Sequence, residues 1–97
     1  MDGNITFLHE LESIIDDRLS GQRKGSYVYE LVNSGLDRVL KKIGEEAGEV
    51  IIASKNGDPT ELLNESADLL FHLVLTLKAQ GRSIQDVVEI LKRRHDP

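Results

Sequence analysis

Five acids in the middle of this chain are spaced for metal chemistry. Glu45, Glu46 and Glu49 stand in Gly44-Glu45-Glu46-Ala47-Gly48-Glu49, and Glu65 and Asp68 in Glu65-Ser66-Ala67-Asp68. On helices, Glu46 with Glu49 and Glu65 with Asp68 are each an i, i+3 pair on one face. Two carboxylates ~4 Å apart repel by roughly 1 kcal/mol in water, and several-fold more in a lower dielectric. A divalent cation turns that repulsion into attraction. An all-oxygen donor set selects a hard ion, Mg²⁺ in the leading reading, and Mg²⁺ usually acts on phosphates.

The elements that must position these acids are helical. Phe7, Leu8, Leu11, Ile14, Ile15 and Leu19 predict a helix from about Thr6 to Leu19. A basic, breaker-rich loop from Ser20 to Ser26 follows, then a short helix from Tyr27 to Val32 with Ser26 as its N-cap. Leu36, Val39, Leu40, Ile43, Ala47, Val50 and Ile51 form one stripe on a long helix from about Gly35 to Lys55, stopped by Asn56-Gly57. Asp58-Pro59-Thr60-Glu61 starts the next helix, with Asp58 as N-cap and Glu61 as the reciprocal capping-box acid. That helix carries Leu62, Leu63, Leu69, Leu70, Leu73, Val74 and Leu77 and ends at Gly81. Ser83 caps a last helix with Ile84, Val87, Val88 and Leu91. No period-2 strand of useful length, internal repeat or low-complexity segment interrupts the pattern. The expectation is a single all-α domain over residues 1–97, with two long antiparallel central helices joined by a tight turn.

Those two helices bring the acids to one level. Glu49 lies eight residues before Gly57 and Glu65 eight after it. With Leu36 at 0°, Glu46, Glu49 and Glu45 fall near roughly 280°, 220° and 180° around their helix. Ile52 and Ala53 flank them, so the acidic side is expected to face another helix as well as water. Glu61, Glu65, Asp68 and His72 share one side of the next helix. An ordinary i, i+3 acid pair is a solvated surface. Two pairs at matching depth, without bases four residues away to neutralise each acid, favour one shared metal site. His72, one turn after Asp68, has several readings: it orients Asp68, contacts a phosphate, or is a packed histidine at the edge of the core with a backbone partner. The packed role is favoured. His9 and His95 read as surface residues.

Composition narrows the function further. The 97-residue chain has 39% hydrophobic and 30% charged residues, as a folded domain does. With no Trp, two Tyr and two Phe, its core must be aliphatic. A net charge of −5 disfavours a nucleic-acid binder. The absence of Cys excludes disulfides, thiol catalysis and zinc–thiolate sites, and suits the cytoplasm. No signal peptide is visible, and no apolar run approaches the ~20 residues that cross a membrane.

The acids resemble the pattern of the MazG-like all-α nucleoside triphosphate pyrophosphatases, E-E-x-x-E on one helix and E-x-x-D on the next. Here it reads Glu45-Glu46-x-x-Glu49 and Glu65-x-x-Asp68, complete at every acid. Gly25-Ser26-Tyr27, the run from Gly35 through Glu46, Ala53-Ser54-Lys55-Asn56, and Asp68-Leu69-Leu70-Phe71-His72-Leu73 are similar to phosphoribosyl-ATP pyrophosphohydrolases. The similarity covers about Gly25 to Leu77. Gly48 stands where a larger residue is usual and Phe71 where Tyr is common; neither is a proposed ligand.

The resemblance implies Mg²⁺-dependent hydrolysis of phosphoribosyl-ATP to phosphoribosyl-AMP and pyrophosphate, the second step of histidine biosynthesis. It also implies a homodimer that completes a four-helix bundle. A chain of this length leaves no room for the cyclohydrolase fused to many such domains, so a stand-alone form is expected. Glu46, Glu49, Glu65 and Asp68 are the expected metal ligands, with Glu45 a further ligand or the group that orients the attacking water. Arg23, Lys24, Arg38, Lys41, Lys42 and Lys55 are candidates for the phosphates. Lys42 and Lys55 rank first because their positions match the family pattern. Ser26, Tyr27 and His72 complete the substrate-binding candidates. Two rivals remain: a house-cleaning pyrophosphatase acting on other nucleotides, and a non-enzymatic helical dimerisation module.

Overall fold

Caps and breakers divide the chain into helices over residues 2–21 and 25–96, which the computed structural model describes. They are α1 (Asp2–Ser20), α2 (Tyr27–Asn33), α3 (Leu36–Asn56), α4 (Pro59–Ala79) and α5 (Ile84–His95). There is no strand among the described residues. The all-α expectation holds. Helix α1 starts four residues earlier than expected, at Asp2.

The capping signals act as their chemistry demands. Ser26 accepts from the Tyr29 N–H at the start of α2. Gly57 ends α3 in the left-handed region at φ 67°, where a side chain would be strained. Asp58 then accepts from the backbone N–H groups of Thr60 and Glu61, both at 3.1 Å. The expected return bond from Glu61 is absent; the Asp58 N–H donates instead to the Ala53 carbonyl, 3.3 Å away. A complete capping box occurs at α5, where Ser83 and Asp86 satisfy one another's backbone N–H groups.

Helices α3 and α4 form the central antiparallel pair. Glu49 meets Glu65 and Glu46 meets His72, so residues further back on α3 meet residues further on along α4. Ile15, Val28, Val39, Val74, Leu75 and Ile84 form the core, one contribution from each helix and two from α4. Lys78 of α4 reaches Asp16 of α1 at 3.0 Å. Glu12, buried on α1, accepts the Ile84 N–H at 2.7 Å and so ties down the start of α5.

Only part of the expected α3 stripe is covered: Val39 is buried, and Ile43, Ala47 and Val50 are half-buried. Val39, Glu46 and Ala53, seven residues apart, point inward, whereas Leu36, Leu40 and Ile51 are exposed. The inner face is thus turned toward the acids. On α4, Leu63, Leu70 and Leu73 are likewise exposed, while His72, Val74, Leu75 and Thr76 are buried. The radius of gyration, 14.8 Å, exceeds the ~12.5 Å expected of a compact chain of this length. An open shape with apolar stripes on its two longest helices explains the difference.

Glu12→Ala leaves the buried Ile84 N–H without a partner. It is expected to lower the unfolding free energy by about 1–3 kcal/mol in urea titrations. A change within error would mean that α5 is held by its apolar contacts alone.

Candidate metal and phosphate site

A buried chain of side chains links the three helices around the acids. Glu46 and His72 are each less than a tenth exposed. The Glu46 carboxylate lies 2.7 Å from His72 Nδ1, and the Asp68 backbone carbonyl lies 3.0 Å from the same nitrogen. Both partners accept, so Nδ1 carries the proton and donates. In the neutral imidazole, Nε2 accepts from the Tyr27 hydroxyl, 2.6 Å away. Phe71 and Tyr27 meet the imidazole edge-on, with ring centroids 5.0 and 5.6 Å away. His72 thus has the expected backbone partner. Its carboxylate partner is Glu46, and it meets Asp68 through the backbone carbonyl.

Glu49, Glu65 and Asp68 form the second part of the site. The Glu65 carboxyl is pushed up from its ordinary 4.5 to about 7. A hydrogen bond shared with Glu49 contributes most, then partial loss of hydration, then the charges of Glu49, Asp68 and Glu61. One oxygen of Glu65, Oε1, is hidden from solvent and has no hydrogen-bond partner. Such an orphaned acceptor beside a second carboxyl fits a cation. As the side chains stand, no three acid or histidine groups among the described residues converge on one ion position. The donors fit a hard cation by chemistry and pairing, although the full ligand shell is not assembled.

Beside this pair is a cleft of about 150 Å³, lined by Glu49, Ile52, Ala53, Asn56, Asp58, Glu61 and Glu65. Ile52, Asn56 and Asp58 were not expected at the site. Ile52 gave a signal, as an apolar residue on the acidic side of α3. Asn56 and Asp58 were read only as turn and cap.

The basic residues separate. Arg38, Lys41 and Lys42, with Leu31 and Glu45, line a second cavity of about 270 Å³. Lys42 lies 4.0 Å from the exposed Glu45 carboxylate. Partial burial pushes the Tyr27 phenol above its ordinary value; Lys42 opposes this, and Glu46, Asp68 and Glu45 add to it. The charge of Lys42, which lines the basic cavity, is thus felt at the Tyr27 phenol. Lys55 is exposed in the last turn of α3, about 20 Å along the axis from Lys42. Ser26 spends its oxygen on the α2 cap. Arg23 and Lys24 lie outside the described residues.

Comparison with known proteins identifies the family. The profile of the family described as phosphoribosyl-ATP pyrophosphohydrolase matches residues 8–95. The chain belongs to that family. It is 47% identical over 89 residues to the phosphoribosyl-ATP pyrophosphatase of Leptospira biflexa, covering 92% of this chain and 97% of that protein. It is also 52% identical over 88 residues to the histidine biosynthesis bifunctional protein HisIE of Thermus thermophilus, covering 91% of this chain and 41% of that protein. For the Bacillus subtilis HisIE protein the identity is 48%, with 91% and 42% covered. The chain thus spans under half the length of these bifunctional relatives. The family match includes α1, which carried no specific resemblance in the sequence.

The raised Glu65 carboxyl makes a pH prediction. Between about pH 4.5 and 7 the native protein holds a proton that the unfolded chain has released. Stability therefore falls as pH rises through this window. The melting temperature of the metal-free protein should drop from pH 5 to 7.5, and Glu65→Gln should flatten that drop. An unchanged slope in the variant would mean that Glu65 is not the group held protonated.

Proposed function

We propose that this protein is a Mg²⁺-dependent phosphoribosyl-ATP pyrophosphohydrolase, releasing pyrophosphate and phosphoribosyl-AMP in histidine biosynthesis. The observation that carries the reading is the crowded Glu49–Glu65 pair with its orphaned oxygen, facing Asp68, one turn from the buried Glu46. Family membership supplies the substrate, which the acids alone do not. The absence of Cys suits work in the cytosol.

In this reading Glu46, Glu49, Glu65 and Asp68 hold the ion. When bound, it supplies positive charge to the phosphoryl oxygens and to the leaving pyrophosphate. Glu45, exposed and 4.0 Å from Lys42, would orient the attacking water at the rim in this reading. Arg38, Lys41 and Lys42 neutralise a phosphate in the basic cavity. Lys55 is too distant to share that phosphate. Tyr27 stays protonated and reaches substrate from α2.

Glu46→Gln and Asp68→Asn should each abolish Mg²⁺-dependent pyrophosphate release while helical circular dichroism stays intact. Gln still accepts from His72, so the packing survives. Near wild-type turnover in either variant would remove that residue from the site. Assayed side by side, phosphoribosyl-ATP should turn over far faster than ordinary nucleoside triphosphates. The opposite preference would make this a house-cleaning enzyme of the same superfamily.

The exposed Leu36, Leu40 and Ile51 of α3 and Leu63, Leu70 and Leu73 of α4 suit a homodimer in which two copies of the central pair make a four-helix bundle. Sedimentation should give about twice the 10.8 kDa chain mass. Leu70→Glu should shift the protein toward monomer. A wild-type chain sedimenting at its single mass would end the dimer reading.

A further inference from the structure

His72 is a buried imidazole with both ring nitrogens engaged, on an element that the assigned chemistry does not require it to serve. Its two partners come from two other helices. Nδ1 takes Glu46 of α3 at 2.7 Å, and Nε2 takes Tyr27 of α2 at 2.6 Å. The Asp68 carbonyl at 3.0 Å and edge-on contacts from Phe71 and Tyr27 fix the ring itself. Thr76, one turn further on, donates to the His72 carbonyl at 2.7 Å.

A carboxylate has two oxygens, and only one of Glu46 meets His72. A buried acid free to rotate offers a cation no defined ligand. Tyr27 opens α2 and is half exposed. Without a fixed partner its hydroxyl has no defined place beside the acids. The imidazole resolves both problems with one rigid ring.

We propose that His72 is a positioning residue with two charges: it turns the Glu46 carboxylate so that the second oxygen is left for the cation, and it latches Tyr27 at the mouth of the acid cluster, where the phenol meets substrate. The inference rests on the metal reading above for its first half; the second half stands on α2 and substrate alone. With the imidazole neutral, the proton on Nδ1 leaves Nε2 to accept from the Tyr27 hydroxyl. Its outward lone pairs then accept, which selects a hydroxyl or ammonium donor over a phosphate oxygen. Lys42, whose charge acts on the phenol, or a sugar hydroxyl of the substrate meets that need.

The test separates position from stability. Mn²⁺ binding to the protein without nucleotide is read by electron paramagnetic resonance of the free ion. Substrate KM and kcat are measured separately. His72→Leu, checked for native circular dichroism, should weaken Mn²⁺ at least tenfold. His72→Asn keeps an N–H donor for Glu46 but not the reach to Tyr27. It should bind Mn²⁺ within about threefold of wild type, with KM raised as much as in Tyr27→Phe. The double variant His72→Asn/Tyr27→Phe should show no further rise in KM. Should His72→Leu fail to fold, the asparagine series decides. Wild-type Mn²⁺ affinity in a folded His72→Leu, or weakening in His72→Asn equal to that in His72→Leu, overturns the carboxylate half. Multiplying KM effects of His72→Asn and Tyr27→Phe overturn the tyrosine half. If the wild-type protein binds no Mn²⁺ at millimolar concentration, the metal reading fails, while the KM series still judges the latch.

Discussion

A carboxylate buried in the middle of a helix pair must have a partner, and the contact between Glu46 and His72 meets that demand. Removing charges from water costs several kcal/mol per ion unless hydrogen bonds restore what hydration supplied. Glu46 occupies the inner face of α3 between Val39 and Ala53, where an apolar residue would pack without that cost. The imidazole supplies a donor at 2.7 Å, and the α4 backbone orients the imidazole in turn. The register of α3 on α4 follows. A slip of one residue on either helix would turn His72 away from Glu46 and leave a buried acid unpaired, so this contact penalises alternative alignments that apolar packing alone would tolerate.

The same register brings Glu49 against Glu65, where the balance is opposite. This pair has no imidazole to relieve it, and one oxygen remains without any partner. The protein answers by keeping Glu65 protonated up to about neutral pH. Helix α3 therefore carries two acids one turn apart with contrasting roles. Glu46 has one oxygen paired with His72 inside the fold. Glu49 shares a hydrogen bond with the Glu65 carboxyl, and loss of that proton leaves two like charges in contact. In the reading proposed above, a cation would take the place of that proton between the two carboxyls.

Local chemistry made much of this legible in the sequence. Ser26, Gly57, Asp58-Pro59 and Ser83 mark helix ends through bonds to their own neighbours, so no knowledge of the fold is needed. The equal distance of Glu49 and Glu65 from Gly57 predicted their meeting because helical rise is constant. What one chain buries was harder to read. Leu36, Leu40 and Ile51 form a clear apolar stripe, yet in this fold they face outward, and the inner positions go to Val39, Glu46 and Ala53. Periodicity records every apolar surface that a helix carries, without saying which neighbour covers it. His72 was underestimated for a related reason. Its decisive partners lie 26 and 45 residues away, beyond any local pattern. A useful signal was nonetheless present: an acid seven residues from both Val39 and Ala53 sits on a helical face that calls for a buried donor.

The rotation of α3 also connects site and assembly. If its apolar stripe faced α4, Glu46 would be displaced toward solvent and the Glu46–His72–Tyr27 chain could not form. Turning the helix buries the acid and leaves Leu36, Leu40 and Ile51 uncovered, alongside Leu63, Leu70 and Leu73 of α4. In the homodimer we propose, a second copy covers these residues and recovers the apolar burial that the rotation gives up. Self-association then supports the acid geometry indirectly, because α3 need not choose between packing its leucines and holding its carboxylates. Polar substitutions on the uncovered stripes would weaken the site without touching a ligand, by removing the reason for α3 to keep its acidic side inward.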